Sequence, residues 1–160
     1  MTKPFSDLIG SMSAVGDSTY SVEIPEGWAQ GQSTYGGLTT ALGLESVMRT
    51  YPDLPPLRSA MVNFVGAAGG VLTVRPEMVR QGRSMTVAQA DVLSEKGLAT
   101  RSTFSFGVGR ESAFEETHLP APNLPEPDVA QDYFAGPHRP SFTQFFDSKL
   151  AAGGLPRSGS

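Results

Sequence analysis

A single segment of helical period followed by four strand-like runs constrains this chain more than any other feature. The helix is expected from about residue 37 to 49 or 50, because Tyr51 precedes Pro52 and a residue before proline avoids the α region. Ahead of it, residues 20–24 alternate as a first strand that ends at Pro25, and residues 6–19 read as an irregular lead-in with room for a short helix. After a proline-rich connector, residues 59–66 form a mostly apolar run of the kind a central buried strand shows. Three further runs follow, each of about ten residues and so longer than the usual strand. Residues 71–81 place Leu72, Val74 and Met78 on one face, and Pro76 within them requires a bulge or an edge position. Residues 84–94 place Met85, Val87 and Leu93 on one face and Ala88, Ala90 and Val92 on the other. Residues 98–108 place Phe104, Phe106 and Val108 together. Tight turns at Gln81-Gly82-Arg83 and Glu95-Lys96-Gly97 make these strands antiparallel.

The helix is entered through a polar, glycine-rich loop, Gln30-Gly-Gln-Ser-Thr-Tyr-Gly-Gly37. A helix start has backbone N–H groups without intrahelical partners, and glycine leaves them open to approach. The partial positive charge there suits a phosphate or a developing oxyanion. The alternative for Gly36 and Gly37 is that glycine lets the helix start pack closely against the sheet.

A chain of 160 residues, 39% of them hydrophobic, is long enough for one full core. It has no cysteine, which excludes disulfides, thiolate nucleophiles and Cys-based zinc sites. No run approaches the ~20 apolar residues of a membrane span, and the first ten residues lack the features of a signal peptide. A cytoplasmic protein is expected. Residues 1–110 carry nine basic and nine acidic side chains, so the net charge of −4 comes entirely from residues 111–160. No basic stripe for nucleic acid or an anionic membrane is present.

Residues 111–140 are rich in proline and acid, and read as a linker after a domain spanning 1–110. Residues 141–150, with Phe142, Phe145 and Phe146, read as one more strand before a soft tail.

A strand, a glycine-led central helix and four long antiparallel strands follow the order of the hotdog fold, an α+β architecture in which a sheet wraps around one helix. The matching residues are Gly31-Gln32-Ser33 with Tyr35-Gly36-Gly37, and Leu57-Arg58-Ser59 leading into Asn63-Phe64-Val65-Gly66. Arg80-Gln-Gly-Arg-Ser84 and Ala99-Thr-Arg-Ser-Thr-Phe-Ser105 complete the set. Over residues 20–110 the chain resembles the N-terminal half of double-hotdog thioesterases of the acyl-CoA thioesterase II type. The resemblance makes residues 141–160 the opening strand of a second hotdog whose remainder is absent, as in a truncated form.

The resemblance implies hydrolysis of an acyl-CoA thioester by water in fatty-acid metabolism, without cofactor or metal. The helix start at Gly36 and Gly37 would polarise the carbonyl, and a carboxylate or a Gln/Asp/Thr set would orient water. Glu45 is the only acid in the helix. Single-hotdog relatives carry their acid at the position occupied here by Leu44, so Glu45 serves either as the catalytic acid or as an i,i+4 partner of Arg49. In double hotdogs the Gln/Asp/Thr set belongs to the second half, and the equivalent place here lies near Ser102 and Thr103. Asp91 is a second candidate acid. Trp28, Tyr35 and Asn63 are expected at the substrate, with Trp28 alternatively a core residue. Arg83, with help from Arg58 and Arg80, would meet a CoA phosphate. His118 and His138 both lie in the linker, which excludes the His-acid pair of hotdog hydratases. The alternative function is a non-catalytic hotdog half that binds acyl-CoA or serves only in assembly. A lone hotdog exposes sheet edges, so a homodimer with a continuous sheet is expected.

Overall fold

The computed structural model describes residues 3–136 and 139–155. A helix, α1 (Phe5–Gly10), leads into a hairpin of β1 (Ser13–Gly16) and β2 (Thr19–Ile24). The small ribbon β3 (Ala29–Gln30) and β4 (Ser33–Thr34) precedes α2 (Gly36–Thr50). Then come β5 (Leu57–Phe64), β6 (Gly70–Gln81), β7 (Met85–Ser94) and β8 (Gly97–Gly107), and finally the short pair β9 (Gln131–Asp132) and β10 (Lys149–Leu150). The main sheet has six strands in the order β1-β2-β6-β7-β8-β5, with every neighbouring pair antiparallel. It wraps around α2, the arrangement the resemblance implies. Among the described residues no helix is long and apolar enough to cross a membrane.

The inner face follows from the period-2 alternation of the long strands. Thr86, Ala88, Ala90 and Val92 of β7 are buried, as are Leu72, Val74 and Pro76 of β6. Helix α2 sets Leu38, Leu42 and Val47 against them. Gly43 brings the helix axis close to the sheet, since a Cβ there would lie 3.3 Å from that of Ala90. Pro76 meets the edge expectation only locally, since β6 as a whole lies between β2 and β7. β2 pairs with β6 only as far as Val74, so the missing N–H of Pro76 faces no ladder on that side, and the register shifts between Met78 and Arg80.

Four expectations need correction. The run at 59–66 is not a central strand: β5 pairs only with β8 at the sheet edge, beyond the strands that α2 covers, and is largely exposed. Val108 lies past the end of β8 and is exposed, apart from the buried Phe104 and Phe106. The lead-in is not irregular throughout, because Asp17-Ser18 turns it into the β1–β2 hairpin with Ser18 left-handed at φ 52°. Ser141–Phe145 is a 3-10 helix, and only Lys149–Leu150 of the tail is extended.

Candidate functional site

The loop before α2 is held by backbone geometry. Thr34 donates from its N–H to the Ala68 carbonyl at 2.7 Å, and Ser33 Oγ accepts from the Ala68 N–H at 3.0 Å. Tyr35 N–H donates to the Trp28 carbonyl at 2.9 Å, which fixes where the helix begins. Tyr35 occupies the N-cap without a capping side-chain bond. The N–H groups of Leu38 and Thr39 turn back to the Tyr35 carbonyl. Those of Gly36 and Gly37 have no hydrogen-bond partner among the described residues. A 15-residue helix therefore presents two open N–H groups at its positive end.

Two aromatic rings account for the glycines. A Cβ on Gly36 would come within 2.7 Å of Phe64 Cε1, and one on Gly37 within 2.5 Å of Tyr35 Cε1. The close-packing reading thus holds for side chains rather than for the sheet itself, and it coexists with the open N–H groups. Beside Gly37 lies a cavity of about 380 Å³. It is lined by Gly37, Leu38 and Ala41 of the helix, by Trp28 and Tyr35, by Phe5 of α1, and by Phe145 and Phe146 of the tail, and it stays partly open to solvent. Trp28 is both core and wall: its ring is buried, and its indole N–H donates to the Lys3 carbonyl at 2.9 Å.

The other expected residues lie elsewhere. Glu45 is two turns further along, about 12 Å beyond Gly37 along the axis at 1.5 Å per residue. Arg49 donates to its carboxylate at 2.7 Å and also to the carbonyls of Ile9 and Met12. That tie joins α2 to the N-terminal segment, and Glu45 does not line the cavity. Leu44 packs half-buried against the second part of the core. Asn63 is exposed on the outer face of β5, opposite Arg101, whereas the next residue, Phe64, turns inward to Gly36. Asp91 is on the same outer face and accepts from Arg101 at 2.7 and 2.6 Å. Those bonds, and then the Asp91 charge, hold the Arg101 guanidinium above its ordinary pKa.

Arg83 lines a separate cavity of about 610 Å³ at the far end of α2, beside Tyr51, Leu54 and Met78. Arg58 and Arg110 are near it, donating to the Gly107 carbonyl and to Ser84 Oγ, while Arg80 is exposed on β6. Beneath the helix, Thr100 donates to Thr39 at 3.0 Å, and the buried Ser102 hydroxyl has no partner among the described residues. Thr103 points the other way. His118 is exposed in the linker beside Glu116, and His138 lies outside the described residues. The structure therefore brings Gly37, Trp28 and Tyr35 together, with Gly36 adjacent, and leaves Glu45, Asn63 and Arg83 apart from them. The sequence reading missed Phe145 and Phe146 as cavity walls.

A sequence model described as the acyl-CoA thioesterase N-terminal domain matches residues 24–107, more than half of the chain. No curated protein matches the sequence. A conserved protein of unknown function with a hot dog fold from Alicyclobacillus acidocaldarius has a TM-score of 0.81 at 24% identity, covering 96% of this chain and 57% of that one. An acyl-CoA thioesterase II, TesB2, from Mycobacterium marinum has a TM-score of 0.61 at 17% identity, covering 78% of this chain and 46% of that one. A Bacillus halodurans protein solved with CoA has a TM-score of 0.52 at 20% identity, covering 60% of this chain and 70% of that one. At these identities the likeness is one of fold, and the fold is the hotdog. The chain spans about half the length of the first two structures.

Proposed function

Because the chain belongs to the acyl-CoA thioesterase N-terminal domain family, we propose that it binds an acyl-CoA and hydrolyses the thioester to free acid and CoA. The observation that carries this reading is the pair of open N–H groups at Gly36 and Gly37 beside an apolar cavity. The acyl group enters the cavity and the carbonyl oxygen faces the helix start. Water adds to the carbonyl carbon, and the negative charge that develops on oxygen is met by the two N–H groups. The C–S bond then breaks, CoA leaves as thiolate, and the proton lost by water returns to it through solvent. Donors placed at a developing oxyanion are each worth about 10²–10³ in rate. Glu45 is the acid proposed to orient water, and it does so only through intervening water, because it stands about 12 Å along the axis from Gly37 and is held by Arg49.

A second reading has its own support. No acid lines the cavity, and Glu45 is held by Arg49. Both favour a hotdog half that binds acyl-CoA without cleaving it. Thiol release measured across a panel of acyl-CoA chain lengths, beside calorimetry on the same esters, separates the two. Turnover that falls at least tenfold in Glu45→Ala supports hydrolysis, tight binding without turnover leaves the binding half, and absence of both sinks the acyl-CoA reading. We further propose that the protein is a homodimer joined along β5.

A further inference from the structure

The cavity at the helix start is bordered on one side by a segment that follows the linker. Phe145 stacks on Trp28 with ring centroids 4.1 Å apart and planes 11° apart, and Phe142 stacks on Tyr35 at 4.2 Å and 4°. Phe146 meets Trp28, Tyr35 and Phe142 edge-on. The segment that carries these rings, residues 139–150, is tied down on both sides. β9 pairs with β10 at its base, Lys149 Nζ lies 2.6 Å from Asp132 Oδ1, and Tyr133 N–H donates to the Ser148 carbonyl at 2.8 Å. At its tip, Gln144 donates to the Gly27 carbonyl at 3.3 Å. Residues 139–150 thus form a cap at one side of the cavity, pinned by β9 and by Gly27.

We propose that this cap sets which acyl groups the protein accepts, with Phe145 and Phe146 as the size-determining residues. The proposal rests on the acyl-CoA reading of the cavity. None of the cavity-lining side chains carries a charge, so the group admitted is uncharged and apolar or aromatic. The volume of about 380 Å³ sits near the lower end of ligand sites, which run from about 300 to 1,000 Å³. At ~30 Å³ for each water-sized group it admits an acyl chain of on the order of twelve carbons. Longer chains meet the Phe145 and Phe146 rings. Removing either ring extends the cavity away from Gly37, so additional methylenes find apolar surface while the carbonyl stays at the helix start. Each buried methylene is worth about a fourfold gain in affinity.

Trp28 is the only tryptophan of the chain and touches the cap, so its emission reports the occupied cavity. Butanoyl-, octanoyl-, dodecanoyl- and hexadecanoyl-CoA are titrated into the full chain and into Phe145→Ala and Phe146→Ala, with Trp28 emission and calorimetry read together. Phe146 is partly exposed, so its variant folds even if loss of the Phe145 stack unfolds the cap. The expected result is tightest binding of dodecanoyl-CoA by the unaltered protein. The Phe146→Ala variant then gains at least tenfold for hexadecanoyl-CoA relative to dodecanoyl-CoA. A folded Phe146→Ala variant whose chain-length profile stays within twofold of the unaltered protein overturns the cap as the determinant and leaves the acyl-CoA reading standing. If none of the esters binds the unaltered protein, that reading fails, and this proposal fails with it.

Discussion

Gly36 and Gly37 look alike in the sequence, yet their neighbours give them different tolerances. The Tyr35 ring that crowds Gly37 is itself stacked on Phe142, so it cannot swing aside without dismantling the cap. The Phe64 ring that crowds Gly36 is 64% exposed and free to rotate into solvent. Gly37→Ala is therefore expected to destabilise the protein by about 1–3 kcal/mol through overpacking. Gly36→Ala should stay within about 1 kcal/mol, because the helix propensity gained offsets moving one exposed ring. Urea denaturation of both variants checks this, and equal losses would show that Tyr35 is not the rigid neighbour. The sequence displayed an unusually open helix start, since glycine pairs and helical period are local signals. It did not display that Phe64 stands over Gly36 or that Phe142 holds the Tyr35 ring over Gly37, because Phe64 and Phe142 arrive from β5 and from beyond the linker. Asn63 shows the same limit. It adjoins Phe64 in the matched stretch, but the pleat of β5 sends the two side chains to opposite faces.

Among the elements, β5 was legible as a strand and misplaced within the sheet. An apolar run states that a strand will be covered, but not by what. Here α2 covers β6, β7 and β8, while Met61 is 69% exposed and the outer edge of β5 pairs with nothing among the described residues. Such an edge invites pairing with another strand. On the homodimer reading the second β5 supplies that strand, and a charge on the edge should block it. The protein is expected to sediment as a dimer at micromolar concentration and Met61→Lys as a monomer with unchanged circular dichroism. A monomeric unaltered protein would remove the continuous-sheet dimer. The aromatic turn at Ser141–Phe145 was misread for a different reason. Phe142, Phe145 and Phe146 are spaced by three and four, which is the period of a helical turn rather than of a strand. The spacing favours a helical turn, whereas aromatic content favours a strand.

At the scale of the molecule, α2 has a cavity near each end, one apolar and one of mixed lining that includes Arg83 and Asp53. The capped apolar cavity lies at its N-terminus and the larger one, with Arg83, near its C-terminus. Fifteen residues at 1.5 Å each put the two ends about 22 Å apart. No single small group bridges them, but a CoA thioester is a long molecule with an apolar acyl end and an anionic nucleotide end. The order of elements in the sequence gave no measure of this separation, since Gly37 and Arg83 are related only through the length of the helix and the register of β6. If the ester lies along α2, Arg83 acts on the nucleotide end alone. Arg83→Ala should then weaken octanoyl-CoA binding by about two- to five-fold at low salt, the scale of an exposed ion pair. The loss should shrink as salt rises toward 1 M, where the screening length falls to about 3 Å. Octanoyl-pantetheine, which has no nucleotide, should bind the variant and the unaltered protein equally. Calorimetry on both ligands at two salt concentrations decides the matter. An equal loss for octanoyl-pantetheine would mean that Arg83 acts through the fold, and no loss for either would place the CoA phosphates elsewhere on the surface.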